Sequence, residues 1–233
     1  MLKTFLRWTL RVFLFVFAAL VLIQLWFAAH IAYWVKNDPS STAFMRGRMA
    51  ILREDDTKAR LRHQWVAYQR ISVHLKRSLI AAEDAKFLEH RGFDWEGIRK
   101  AHERNMREGD LVAGGSTITQ QLAKNLFFSG KRTWWRKAQE AAVSVMLEAM
   151  MSKRRIFEIY LNVIEWGEGV FGAEAAARYH FGTGAANLTP EQAARLAAMV
   201  PSPRRYGPGA NTAYLQKRTW IIAARARMAQ IPQ

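Results

Sequence analysis

The sequence predicts a mostly α-helical domain behind a single membrane-spanning helix, and three observations carry that prediction. From Val12 to Val35 the chain reads VFLFVFAALVLIQLWFAAHIAYWV, without one Asp, Glu, Lys or Arg. Beyond it, apolar residues recur every three or four positions almost throughout, the period of a helix with one buried face. Residues that start and stop helices punctuate those runs, and no series of alternating strands appears.

The anchor comes first. About 24 residues at ~1.5 Å each make ~36 Å of helix, enough to cross a hydrocarbon core of about 30 Å. A cleaved signal peptide has an apolar region of only about 7–15 residues. This run is longer, lacks a convincing small-x-small cleavage site, and carries Trp26, Tyr33 and Trp34 as an aromatic belt. Lys3, Arg7 and Arg11 precede the span, which sets the N-terminus in the cytoplasm and the rest of the chain across the membrane. A buried core helix is the plain alternative. The expected organisation is a cytoplasmic N-terminus (1–11), the anchor (12–35), a linker and membrane-proximal region (36–70) that opens with KNDPSST, and one functional domain (71–233).

In that domain, Ile71 to His90 predicts a helix with Val73, Leu75, Leu79, Ile80, Phe87 and Leu88 on its apolar face and Gly92 as its stop. Helices follow over Thr117–Phe128, Trp134–Met151, Ile156–Ile164 and Ala173–Phe181. Thr189-Pro190-Glu191-Gln192 is a capping box with proline at the first helical position, opening a helix to Val200. A last helix spans about Ala213 to Met228.

Composition narrows the chemistry. Thirty-five Lys plus Arg against nineteen Asp plus Glu in 233 residues give a net charge of +16 and a pI near 10.7. Half the chain is apolar, which excludes general disorder, and the absence of cysteine excludes disulfides, thiolate metal sites and Cys nucleophiles. Such a charge calls for a polyanionic partner: nucleic acid, anionic headgroups or a phosphorylated substrate. Export across a membrane argues against nucleic acid, and no zinc-finger spacing or RNA-binding aromatic pattern is present.

Four clusters could carry a reaction. In Glu83-Asp84-Ala85-Lys86-Phe87-Leu88-Glu89-His90, Glu83 stands on a helix beside Leu79, Ile80 and Phe87, where desolvation would raise a carboxyl pKa and suit it to acid or base work. His90 would share its face; an ordinary boundary Glu with a helix-terminal His is the other reading. Gly114 to Asn125 (GGSTITQQLAKN) is a flexible entry into a capped helix whose free N–H groups favour anions. There Ser116, Gln120 and Lys124 make a polar stripe opposite Ile118, Leu122 and Leu126, although a plain amphipathic helix has the same pattern. In Lys131 to Glu140 (KRTWWRKAQE), Arg136 and Lys137 precede Glu140 by one turn. Two cations keep that carboxylate ionised and leave net positive charge for a phosphate; a surface ion pair is the alternative. Flanking Phe127, Phe128, Trp134 and Trp135 suit a membrane interface. The fourth cluster, Ile156 to Asn162, sets Glu158 and Asn162 four apart on a polar edge, for catalysis or for bracing. Gly167-x-Gly169-x-x-Gly172 matches a dinucleotide fingerprint but follows the helical IFEIYLNVIEW with no βαβ unit around it.

H-E-x-x-H, P-loop, G-x-S-x-G, D-x-D, S-x-x-K and K-T-G patterns are all missing. In order, EDAKFLEHRGFDWEGI, GGSTITQQLAKNLF, RKAQEA, RIFEIYLNVIEWG and AAARYHFG resemble the successive motifs of the peptidoglycan glycosyltransferases (family 51), over roughly Ile71 to Tyr206. Lacking a transpeptidase pattern, the chain resembles that family's monofunctional branch. Phe157 stands where the family commonly has Leu, and Gln139 where it is variable.

The resemblance implies a mostly α, lysozyme-like glycosyltransferase domain with a smaller membrane-associated lobe. It implies polymerisation of lipid II into glycan strands through β-1,4 links, with polyprenyl diphosphate released, in the bacterial inner membrane with the catalytic domain in the periplasm. It makes Glu83 the general base and Glu140 a second essential carboxylate. Lys124, Arg136 and Lys137 become diphosphate contacts, while Ser116, Gln120, Gln121, Asn125, Glu158 and Asn162 line the cleft; Asp84 and His90 join the substrate-binding set. The partners implied are lipid II, the growing lipid-linked glycan, the membrane and other cell-wall synthesis proteins, with no nucleic acid. No cofactor is required and no metal ligands are expected, Mg²⁺ or another divalent cation near Glu140 being the one candidate helper. A lytic, glycan-cleaving enzyme would explain Glu83 but not the basic cluster. An anchored scaffold that binds anionic lipid is the non-enzymatic alternative.

Overall fold

A computed structural model describes residues 1–108, 114–130 and 133–233, with the Leu2 side chain left out. The chain divides into two compact units, Met1–Asn37 and Asp38–Gln233. The first is one helix, α1 (Leu2–Lys36), long and apolar enough to cross a membrane. It ends where Asn37 turns extended and its side-chain amide donates to the Tyr33 carbonyl.

The second unit begins with a helix that the sequence reading left inside a linker, α2 (Ala43–Asp55), capped by the Thr42 hydroxyl on the Met45 N–H. Its mixed, charge-rich face hides the helical period. After it come β1 (Arg62–His63) and a 3₁₀ turn at Tyr68–Arg70. Helix α3 (Val73–Glu83), capped by Ser72, stops well short of the expected His90. Asp84 leaves the helix because its carboxylate accepts the Ile118 N–H at the start of the next capped helix, 3.0 Å away, and meets His90 Nε2 at 2.9 Å. These two partners outweigh one more helical turn, and residues 85–92 form turns instead. Helix α4 (Trp95–Glu108), also unforeseen, buries none of its residues.

Helix α5 (Ile118–Phe127) has a full capping box between Thr117 and Gln120 and buries Ile118, Leu122 and Leu126 as expected. Helix α6 (Trp134–Met150) and α7 (Lys153–Val163) follow. The IEW segment is not helical: Glu165–Gly167 forms β2 and Val170–Phe171 forms β3, with β3 central, antiparallel to β2 and parallel to β1. The G-x-G-x-x-G glycines build this hairpin. Gly172, at φ +82°, has no room for a side chain, since a Cβ there would lie 2.6 Å from the Asn162 carbonyl oxygen. Helices α8 (Ala173–Phe181), α9 (Pro190–Met199, with the expected capping box) and α10 (Ala213–Ala226) complete the chain.

The core has two adjoining halves. Helix α3 packs against α9 and α10, while α5 packs against α2, α6 and α7. Leu75, Leu79, Phe87, Leu122, Leu147, Phe157 and Trp166 are fully buried. Burying such side chains contributes about 1.5–3 kcal/mol each, which overrides the weak local propensities of the short sheet. Glu83 therefore sits at the C-terminal end of a helix whose other turns are locked in the core.

Candidate active site

The site is assembled at the ends of α3, α5 and α6. Glu83 Oε2 accepts a hydrogen bond from Gln121 Nε2 at 2.9 Å. The Gln121 carbonyl Oε1 in turn accepts from the buried Tyr160 hydroxyl at 3.0 Å, so α7 fixes which way the amide points. The second carboxylate oxygen, Glu83 Oε1, is buried and among the described residues accepts no hydrogen bond; Arg218 Nη2 of α10 lies 3.7 Å from it. Burial pushes the Glu83 pKa up, opposed by the Gln121 hydrogen bond and by the charges of Arg218 and Lys124, while Asp84 adds to the rise. The result is a carboxylate with one committed oxygen and one uncommitted, more basic than in water.

One turn along α5 from Gln121, Lys124 feels the charge of both acidic groups. Burial lowers its pKa; the Glu140 and Glu83 carboxylates oppose that, and the Arg136 and Lys137 charges add to it. Glu140 is 3 % exposed and holds both cations on its own helix, Arg136 Nε at 3.1 Å and Lys137 Nζ at 3.3 Å. The expected one-turn relationship is therefore present. Arg136 also donates to the Gly130 carbonyl at 2.7 Å, and Lys137 Nζ to the Ser116 hydroxyl at 3.4 Å. Lys124, Arg136 and Lys137 around the single Glu140 carboxylate give the cluster an excess of cations, which suits a phosphate-bearing ligand.

Other expected site residues have different neighbours. Gln120 is buried and its amide oxygen accepts the Thr117 N–H, so it closes the helix cap rather than extending a polar stripe from Ser116 to Lys124. Asn125 donates to the Gln121 carbonyl one turn back. Because α3 ends at Glu83, His90 does not share its helical face; it sits under the site against Asp84, which holds the start of α5. Glu158 accepts from the Tyr68 N–H and from Arg155, both at 2.8 Å. Asn162, fully buried, bonds the Val66 N–H and C=O and the Glu158 carbonyl. Both residues brace the 66–68 segment. Lys131 and Arg132 lie outside the described residues. Trp134 and Trp135, just before Arg136, are exposed.

Sequence reasoning missed Tyr160 and Arg218. Tyr160 lies inside a recognised motif, and its hydroxyl, on a helix this apolar, needed a partner. Arg218 carried no signal, since only packing brings α10 to α3. As for a metal, among the described residues no group of three or more His, Asp or Glu side chains could hold one. Both Glu140 oxygens already face cations, so the donor set does not build a resident divalent site.

A family model described as transglycosylase matches residues 50–227. A biosynthetic peptidoglycan transglycosylase of Methylobacillus flagellatus is 61 % identical over 212 residues, covering 91 % of this chain and 93 % of its own length. Proteins of the same name from Nitrosospira multiformis and Laribacter hongkongensis are 59 % and 56 % identical, over 98 % and 97 % of this chain and 99 % and 100 % of theirs.

Proposed function

This chain belongs to the transglycosylase family, and from that premise we propose how its site makes glycan. The enzyme is a peptidoglycan glycosyltransferase that polymerises lipid II into strands by inverting transfer, forming β-1,4 links and releasing polyprenyl diphosphate. Glu83 Oε1 takes the proton of the acceptor's 4-hydroxyl as that oxygen attacks the donor's anomeric carbon. The bond from that carbon to the diphosphate oxygen breaks with the attack, and its electron pair leaves on the diphosphate. Lys124, Arg136 and Lys137 stabilise that growing negative charge, and Glu140 holds the two helical cations in place. Ser116 and the amides of α5 complete the wall of the cleft. The diphosphate is already an activated leaving group, so no nucleotide is needed.

The observation that carries this reading is the uncommitted, buried Glu83 Oε1 beside the Lys124–Arg136–Lys137 cluster. Helix α1, with Lys3, Arg7 and Arg11 at its start, anchors the enzyme in the inner membrane with its N-terminus cytoplasmic and its catalytic unit periplasmic. There it meets its lipid substrates and other cell-wall synthesis proteins. Purified full-length protein in detergent, given lipid II and separately finished glycan, tests the proposal. Polymer from lipid II supports it; shortening of glycan indicates a lytic enzyme, and turnover of neither leaves an anchored scaffold.

A further inference from the structure

Helix α10 carries two different faces. Arg218 points one of them at Glu83. Gln216, Thr219 and Trp220, at helical spacings of three and four, share another. They line a separate cavity of about 600 Å³ together with Glu191 and Arg195 of α9 and Asn211 of the preceding loop. That volume falls among those of small-ligand sites, and no residue of the catalytic cluster contributes to it.

Its chemistry is unusual for a mere packing defect. Trp220 is 74 % exposed, an aromatic plane left in water at the edge of a polar hollow. Thr219 lies on the buried stripe with Leu215 and Ile222, yet among the described residues its hydroxyl has no hydrogen-bond partner, not even the Leu215 carbonyl one turn back. Gln216 Nε2 donates to Asn211 Oδ1 at 2.9 Å, which orients both amides and, among the described residues, leaves the Gln216 carbonyl oxygen and the Asn211 amide nitrogen for a ligand. Glu191 and Arg195 lie one turn apart on α9 and bring one charge of each sign to the cavity. A flat aromatic face, paired planar amides and charged groups of both signs are the parts that bind a pyranose. The ring's C–H face covers the indole, while hydroxyl and acetamido groups take the planar donors and acceptors.

We propose that this cavity is a glycan exosite, holding a β-1,4-linked N-acetylhexosamine strand outside the catalytic cleft. The choice of N-acetylated glycan rests on the polymerase reading, since such a strand is that reaction's product. A strand held on one face of α10 stays near a cleft that borders the other face.

The test uses the full chain in detergent and tetra-N-acetylchitotetraose as probe, titrated calorimetrically. Trp220→Ala and Gln216→Ala are each expected to weaken binding at least fivefold, while Arg136→Ala, in the catalytic cluster, leaves it unchanged. Trp220 is exposed, so Trp220→Ala should keep the wild-type thermal unfolding and polymerise lipid II within twofold of the wild-type rate. Equal affinity of Trp220→Ala and wild type overturns the exosite, as does an equal loss in Arg136→Ala, which places the sugar in the cleft. Loss of binding to anionic phospholipid vesicles by Trp220→Ala, with tetraose binding intact, makes the tryptophan a membrane contact and also overturns it. A wild-type protein that binds tetraose through Trp220 but does not polymerise lipid II overturns the function and leaves the sugar site standing.

Discussion

The Gln121 side-chain nitrogen stands 2.9 Å from Glu83 Oε2, and the Tyr160 hydroxyl holds the other end of that amide. This relay ties one oxygen of the proposed base to the protein and leaves Oε1 for a substrate proton. It also joins three helices, α3, α5 and α7, at one carboxylate.

Glu83→Gln keeps the shape of the side chain but cannot accept a proton. Polymerisation should fall by about 10²–10⁴-fold with lipid II binding nearly intact, measured as turnover and as equilibrium binding in the same detergent. Residual activity within threefold of wild type would remove Glu83 as the base.

The same substitution has a signature in stability. Burial raises the Glu83 pKa in the folded protein, so the folded state binds this proton more readily than the unfolded chain. Its contribution is present below the unfolded pKa and is lost as pH rises through the raised folded value. The melting temperature of Glu83→Gln relative to wild type should therefore climb between pH 4 and pH 8. A flat difference across that range would mean that Glu83 is not desolvated in solution.

Tyr160→Phe removes the hydroxyl that orients Gln121. The lost hydrogen bond is worth about 0.5–1.5 kcal/mol, so turnover should drop roughly 2–10-fold. With the Gln121 hydrogen bond to Glu83 loosened, the acid limb of the pH–rate profile should move to higher pH. An unchanged limb would show that the amide stays in place without the tyrosine.

Arg136→Ala takes one charge from the proposed diphosphate site and leaves Glu140 less compensated. Turnover in detergent should fall 10-fold or more, as expected for a charge-assisted contact worth roughly 1.5–3 kcal/mol. Arg99, exposed on α4 and paired with Glu103 at 3.9 Å, is the comparison. Equal losses in Arg136→Ala and Arg99→Ala would mean a diffuse electrostatic surface instead of a defined site.

Deleting residues 1–36 should leave a folded catalytic unit, because Asp38–Gln233 is compact by itself. Activity should fall most on lipid II embedded in bilayers, where the anchor raises effective concentration. Loss of helical circular dichroism in the truncated protein would refute the boundary.

The sequence by itself determined the anchor, the helical class, the caps of α5 and α9, and the Arg136–Lys137–Glu140 triad. Each of these is local: an uncharged run, a 3.6-residue period, or side chains one turn apart on one helix. What lay beyond one helix only the tertiary structure decided. Asp84 breaks α3 because its carboxylate is drawn to Ile118 and His90, so His90 leaves the face that periodicity assigned to it. The spacing of Glu158 and Asn162 left catalysis and bracing both open, and the resemblance set them in the cleft; their hydrogen bonds to Tyr68 and Val66, some 90 residues away in sequence, show that both brace that segment. Tyr160 reaches Gln121, and Arg218 reaches Glu83, only because α7 and α10 pack where they do. Helical period records which residues are buried; it does not record which buried partner, far along the chain, each of them meets.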